Sequence, residues 1–406
     1  MAGRNGIDTA MYPLSGEYLD RLPEPLMKIY RDLEDDIFRY ICEQFKQTGD
    51  ANEKSIELIR QLQRGGLPLD KIEKRIRKTL NLSQAEFERI FEDAVDRNRA
   101  FYGDTLNRVG LAYSPVREAA LRAQEAAIAA QTLGELQNIT RSLGFAVQGM
   151  GGTVIPGTIQ ETYTRILDVA LVKVQSGTEA YNGAIRGAID QLAASGLQWI
   201  DFPSGWHNRV EVAARRAVMT GVGALCDKYS DALREEIGTE FVEVSAHRGA
   251  RDKGVGPMNH KSWQGKCYHI GGDKTVDGVL YPDFERVTGI NTGPGLGGWN
   301  CRHKYTAYIP GVMERSYTDE ELANIDPPPF TFEGRKYSAY DATQMQRKLE
   351  TAMRAQKRKM IGYEAAGDKE AYTAAKAKYS ALSAKYTAFS KAAQLPEQRQ
   401  RLTIPK

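Results

Sequence analysis

Apolar residues recur every three or four positions from Leu22 through Leu26, Ile29, Leu33, Ile37 and Ile41 to Phe45. That period places them on one stripe of an α-helix of roughly 25 residues, and a helix with such a stripe needs other elements to cover it. Gly49 and Asp50 are expected to close it. A second helix is predicted over 55–62 with a stop at Gly65 and Gly66, and a third over about 70–80. Ser83 and Glu86 have the spacing of a capping box and start a fourth, which turns Phe87, Ile90, Phe91, Ala94 and Val95 inward. Short links between these helices favour an antiparallel bundle over residues 1–110.

Ser114 followed by Pro115 reads as a helix start, since Ser caps free amides and Pro at the first helical position gives up no hydrogen bond. The Ala-rich run behind it lacks a turn until Gly149, Gly151 and Gly152, so residues 111–152 read as a connecting helix and a Gly-rich link, or the helix reads as a further member of the first bundle. Over 153–311 the character changes. Two helices carry Ile159, Ile166 and Leu167, then Ile185, Ile189 and Leu192; strands are expected over 197–202 and 241–245, with a helix over 208–236 between them. All four tryptophans and all five histidines fall between Trp199 and His303, which marks one specialised core. From His247 to Gly298 there are 12 glycines, read as irregular loops pinned by Trp263, Tyr268, Tyr281, Phe284 and Trp299. Pro327, Pro328 and Pro329 make a stiff link within 312–340. Over 341–406 two helices, 341–361 and 368–392, are joined by residues 362–367, and Tyr372, Tyr379 and Tyr386 share a heptad position that reads as packing. The fold class is α+β: an N-terminal helical bundle, a mixed domain with a small sheet, and a C-terminal helical hairpin.

At 406 residues the chain can bury a sizeable core without staples, and Cys42, Cys226, Cys267 and Cys301 do not have the spacing of a disulfide framework. Neither a signal peptide nor a membrane span is expected. The net charge is +3, but it is unevenly placed: residues 335–406 hold 16 basic and 6 acidic side chains, +10, against −7 for the rest. That split permits contact with nucleic acid or with an acidic protein surface.

Few motifs point to chemistry. Cys267-Tyr268-His269 and Cys301-Arg302-His303 offer thiolate and imidazole donors for zinc, without the usual two-residue spacer; buried cysteines and hydrogen-bonded histidines are the simpler reading. A nuclease would draw on Asn259, His260, Asn300 and His303 with Asp252, Asp273, Asp277 and Asp283, whose spacing fits no metal loop. No flanking pattern activates Cys267 or Cys301 as a nucleophile. There is no phosphate-binding Gly-Lys-Ser/Thr loop and no dinucleotide fingerprint, so no cofactor is expected. In His247-Arg248-Gly249-Ala250-Arg251 the two arginines suit a phosphate or carboxylate, and suit loop anchoring better.

Several stretches, taken in order, carry a resemblance: Leu136-Gln-Asn-Ile-Thr-Arg141, Val174-Gln-Ser-Gly177, Ala184-Ile-Arg-Gly-Ala-Ile189, Arg215-Arg-Ala-Val218, then Val244-Ser-Ala-His247 with Arg251, Trp263-Gln-Gly265, and Gly298-Trp-Asn-Cys-Arg-His303 before Ile309-Pro-Gly311. Together they resemble the phage minor capsid proteins of type 2, related to head-morphogenesis proteins of the Mu gpF kind, over roughly residues 12–400. The resemblance implies a structural family motif made of Ser245, His247, Arg251, Trp263, Gly265, Gly298, Trp299, Asn300, Cys301 and His303. It implies a low-copy head component in the virion, inside the head or at the portal vertex, with portal and major capsid proteins as partners. Its basic C-terminal region would touch packaged DNA without sequence preference. The gpF-type relatives often end this stretch in Cys-x-Cys, where the present chain has Cys301-Arg302-His303. Their distant likeness to ADP-ribosyltransferases raises NAD-dependent transfer as the alternative; Glu240 and Glu243 stand Glu-x-x-Glu where that chemistry needs Glu-x-Glu, so no enzyme activity is expected.

Overall fold

The computed structural model describes residues 12–46, 55–149, 152–298 and 300–402. In chain order, α1 (Gly16–Arg21), α2 (Glu24–Glu43), α3 (Ser55–Gly65), α4 (Leu69–Arg108) and α5 (Pro115–Arg141) come first. The hairpin β1 (Leu143–Gln148) and β2 (Val154–Thr158) leads to α6 (Ile159–Gln175), α7 (Tyr181–Ser195), β3 (Gln198–Asp201) and β4 (Trp206–Arg209). Then come α8 (Val210–Ile237), β5 (Phe241–Val244), α9 (His260–Trp263) and β6 (Cys267–His269), followed by β7 (Lys274–Val276), β8 (Val279–Tyr281), α10 (Phe284–Thr288) and β9 (Tyr305–Tyr308). After α11 (Asp319–Ala323) and the hairpin β10 (Phe330–Phe332) and β11 (Arg335–Tyr337), α12 (Ala339–Ala366) and α13 (Lys369–Ala392) form the C-terminal pair. Long helices with small antiparallel sheets make this an α+β fold.

The stripe that opens the sequence is the buried side of α2, where Leu26, Leu33, Ile37 and Ile41 are at most 3% exposed. The stop expected at Gly49 and Asp50 lies outside the described residues. The helices expected over 70–80 and from 83 are a single one, α4. Ser83 does not cap; it is buried, and its hydroxyl donates to the Leu80 carbonyl at 3.1 Å, a bond that leaves the helix uninterrupted. Ser114 does cap α5, accepting from the Arg117 amide at 3.2 Å. This helix stops at Arg141, well short of Gly149, because the chain turns into β1, whose Leu143, Phe145 and Val147 are buried in alternation. β2 carries Pro156 and lies at the edge of its sheet, where a missing amide is tolerated.

The chain folds as two compact units. One runs over Met1–Glu24, Ala85–Gly134 and Arg216–Gln344; the other over Pro25–Gln84, Glu135–Arg215 and Met345–Lys406. The two strands expected to share one sheet fall in different units. β3 belongs to the four-stranded antiparallel sheet β2-β1-β3-β4 of the second unit, and β5 is the centre of the three-stranded sheet β6-β5-β9 of the first. Each expected run was correct, but a strand's partners are set by tertiary contacts that a local pattern does not carry.

In the second unit the C-terminal helices pack through Gln346 to Ser390 (3.0 Å) and Tyr386 to Glu350 (3.1 Å). Tyr386, Phe389 and Ala375 are buried, as a packing stripe requires. Gly362 was expected in the turn, but it lies inside α12. A Cβ there would sit 2.7 Å from Ile189 and 2.8 Å from the Phe38 ring, so this glycine allows the helix a close approach. The turn itself is Gly367, followed by Asp368, which caps α13 by accepting from the Ala371 amide at 3.0 Å.

Candidate functional site

In the first unit, β5 delivers Ser245 and His247, α9 delivers His260 and Trp263, and the loop before β9 delivers His303. Ser245 continues the pairing of β5 with the chain entering β9: its amide donates to the Lys304 carbonyl (2.7 Å) and its hydroxyl accepts from the Lys304 amide (2.8 Å). Its carbonyl also accepts from His303 Nδ1 at 2.9 Å. A carbonyl can only accept, so the His303 proton sits on Nδ1 and Nε2 carries the lone pair. That Nε2 is buried with no hydrogen-bond partner among the described residues.

The ring of His303 is a packing plate. His247 stacks on it at 4.3 Å between centroids, Trp263 meets it edge-on at 4.9 Å and His260 at 5.4 Å. His260 Nε2 donates to the Pro294 carbonyl at 2.8 Å, and His247 Nδ1 to that of Arg248 at 3.0 Å, so each ring is oriented by a backbone oxygen. Trp263 is 1% exposed and donates its indole N–H to Pro257. Burial pushes the His260 imidazolium down to about 4, with Arg251 adding repulsion. Burial, followed by His247 and His260, holds His303 well below the ordinary range. Both rings are therefore neutral at pH 7.

The other motif residues shape the surrounding loops. Gly265 has φ +70°, and a Cβ there would lie 2.3 Å from Leu322, so only glycine fits. Gly298 approaches the Thr292 and Gly293 carbonyls so closely that a Cβ would sit 2.3 Å from both oxygens, and the Gly298 carbonyl accepts from the Cys301 amide. Asn300 is exposed with φ +56°, a left-handed position that Asn tolerates. Arg251 reaches the Pro294 carbonyl at 3.4 Å, and its own carbonyl accepts from the Lys261 amide. Cys301 packs against the cluster of Val242, Val244, Trp263, Tyr268, Phe284, Leu296 and Tyr305. Trp299 lies outside the described residues.

The two Cys-x-His stretches do not converge on a common set of donors. Cys267 packs with Tyr281 and Tyr308, and His269 Nδ1 is held by the Gly272 carbonyl at 2.8 Å. Among the described residues, no group of three or more His, Cys, Asp or Glu side chains is placed to hold a metal ion. Burial pushes the Cys267 thiol up to about 12, the opposite of what a nucleophile needs.

Sequence reasoning missed two features. The first is the N-terminal segment, for which the motif is a receptor. Gly16 lies against His247, where an added Cβ would come 3.0 Å from the histidine Cβ. Asp20 pairs with Arg302, and Tyr12 stacks on Tyr317 at 6.3 Å while donating to the Glu243 carbonyl. The second is an ion network in the second unit. Glu34 and Arg358, 3% and 1% exposed, pair at 3.3 Å; Glu34 also accepts from the Leu197 amide (2.8 Å), and Arg358 donates to the Ala193 carbonyl (2.8 Å). Beside them Asp35 pairs with Lys357, and Glu211 with Arg354 at 3.2 Å. One signal was present: Glu34 stands four residues from both Tyr30 and Phe38, on the apolar side of α2.

No helix among the described residues is long and apolar enough to cross a membrane. No curated protein and no solved structure matches the chain. The family model described as Phage minor capsid protein 2 matches residues 14–391, nearly the whole chain and the whole of the histidine and tryptophan cluster. With that coverage the chain belongs to the phage minor capsid protein 2 family and is a minor structural protein of the phage head.

Proposed function

We propose that this head protein acts at the portal vertex, in contact with the portal and major capsid proteins, and serves head assembly or DNA delivery without catalysing a reaction. The observation that carries this reading is the use made of the motif. Ser245, Trp263 and His303 hold one another and Gly265 fits against Leu322, while His247 and Arg302 hold the N-terminal segment. The motif stabilises a body; it does not present reactive groups to a substrate. NAD-dependent transfer finds no support in its carboxylates. Glu243 is 3% exposed and accepts from the Ser316 amide at 2.7 Å, and Glu240 pairs with Arg234 at 2.8 Å.

In this role the N-terminal helices dock on the portal or the inner shell, and the C-terminal pair meets a neighbouring subunit or DNA. Cross-linking of purified procapsids followed by mass spectrometry tests it. Cross-links to the portal protein are expected; a pattern restricted to shell proteins away from the portal would move the protein elsewhere in the head.

A second reading rests on charge. The +10 of residues 335–406 includes Lys376, Lys378 and Lys391, exposed on α13, together with half-buried Lys385. Contact with DNA phosphates through these residues would be independent of sequence and weakened by salt. Replacing all four by Ala in the full chain should reduce both the retardation of duplex DNA and its salt dependence; unchanged retardation would rule this surface out.

A further inference from the structure

In the first unit β6 is the edge strand of its sheet, and alternate residues of it bond to β5. The Val244 amide donates to the Lys266 carbonyl (3.0 Å) and the Ile270 amide to the Glu240 carbonyl (2.8 Å), so Lys266, Tyr268 and Ile270 are the residues that face β5. Bonding sides alternate along an antiparallel strand, and Cys267 and His269 therefore turn their amides and carbonyls the other way. His269 uses its amide there, donating at 3.0 Å to the carbonyl of Pro282, one residue past the end of β8, where the two strands run parallel. The same alternation holds in β8. Asp277 (φ +49°) and Gly278 (φ +78°) form a two-residue turn, which makes Val276 with Val279 and Lys274 with Tyr281 the bonded pairs of β7 and β8. Leu280, like Pro282 two residues on, turns its backbone groups toward β6.

Cys267 and Leu280 thus aim backbone groups at each other's strands, two residues before the junction on each. Among the described residues neither the amide nor the carbonyl of either has a partner. Between them the strands part and a cleft of about 320 Å³ opens. Cys267 and Tyr268, on opposite faces of β6, both line it, as a cleft along the strand's edge requires. Its walls are apolar, with Val279 and Leu280 54% and 58% exposed. At the rim Arg315 is paired with Asp319 (3.0 Å), whereas Lys266 donates to the Ser262 carbonyl (2.8 Å) and has no carboxylate partner among the described residues.

We propose that this cleft takes an extended peptide segment of a partner protein as an added strand between β6 and β8. Its backbone bonds to Cys267 on one side and Leu280 on the other, its alternate apolar side chains cover Val279 and Leu280, and a carboxylate on it meets Lys266. The open backbone groups choose the occupant. Cys267 is 9% exposed, and an amide and carbonyl so nearly hidden from water are costly until another backbone pairs with them. A peptide strand supplies donor and acceptor in alternation on both of its edges, and Lys266 selects an acidic segment over a basic one.

Selection of a random heptapeptide library against the full chain tests this. Peptides with alternating β-branched residues and an Asp or Glu should be enriched, and the best of them, labelled and followed by fluorescence anisotropy, should bind one to one. Lys266→Glu should weaken that binding about tenfold or more through loss of a charged contact. Leu280→Pro deletes the amide that faces the cleft and leaves the bonds to β7 in place, so it should weaken binding as well. An inserted strand uses both of its edges, so N-methylation of either alternate set of the peptide's amides should abolish binding. That measurement needs no change in the protein and decides the case if circular dichroism shows a variant to be misfolded. A library with no enriched peptide, a selected peptide that tolerates N-methylation of one set, or binding unchanged by a folded Lys266→Glu chain would overturn the proposal.

Discussion

The buried polar groups of the two units are built on opposite plans. In the second unit Glu34, Asp35, Glu211, Arg354, Lys357 and Arg358 bring both signs of charge together. In the first, His247, His260 and His303 stack as rings, and the charged groups that bear on them, Arg251 and Arg302, are cations. In an ion network opposite partners offset part of the cost of burying each charge, and removing one partner leaves that cost uncompensated. Burial beside other rings and cations disfavours the charged forms of His260 and His303, so their packing holds while those rings are neutral. The difference teaches that titratable groups can be buried in two ways: one cluster ties helices together through opposite charges and the other packs aromatic rings.

The largest test of this contrast removes half of an ion pair. Arg358→Met removes the ion-pair partner of buried Glu34, leaving it the Leu197 amide and the weaker influence of Arg209 and Arg354, and should cost about 3–5 kcal/mol in urea unfolding. Adding Glu34→Gln should recover part of it, because a neutral amide no longer needs the guanidinium. A single substitution that cost nothing would break the distinction.

Trp263→Ala tests the other side. It empties the space between His260 and His303 and should cost about 3–4 kcal/mol through cavity formation, largely independent of salt. A strongly salt-dependent loss would mean that the cluster is held by charge.

Acidification should separate the regions without mutation. His260 is depressed to about 4, so its contribution is fully present above the ordinary histidine range, near 6.5, and is lost as pH falls toward 4. At pH 5 this removes about 2 kcal/mol, and His303 acts in the same direction. Asp35 is raised to about 6, burial outweighing Lys357, so its contribution is present below about 4 and is lost as pH rises through 6. Hydrogen exchange at pH 7.5 and pH 5 should therefore show β5 and α9 losing protection on acidification while α2 and α12 hold theirs. Equal loss in both would remove the contrast.

The smallest effect belongs to the C-terminal pair. Tyr386→Phe removes a donor to Glu350 and an acceptor for the Gln398 amide (2.7 Å) and should cost about 1–2 kcal/mol by the same unfolding measurement.

How much of this was legible depends on whether a signal is local. Apolar period placed α2 and the second C-terminal helix, and Ser114 with Pro115 placed the start of α5, because a stripe or a cap lies within one stretch of chain. The strand β1 was visible as alternation at Leu143, Phe145 and Val147, but was hidden by the expectation of a long helix running into glycines. Glu34 with Arg358 could not be paired in advance, since 324 residues separate them and only the fold brings them together. The motif was an expectation drawn from resemblance. Its geometry was not: neither the stacking of His247 on His303 nor the seating of Gly16 against His247 follows from spacing.

The most direct test of the central claim is quantitative mass spectrometry of purified procapsids and mature virions, with the portal protein as the internal standard. A low copy number, in constant ratio to the portal protein in both particles, is the result predicted for a retained minor head protein. Absence from both particles would contradict that assignment.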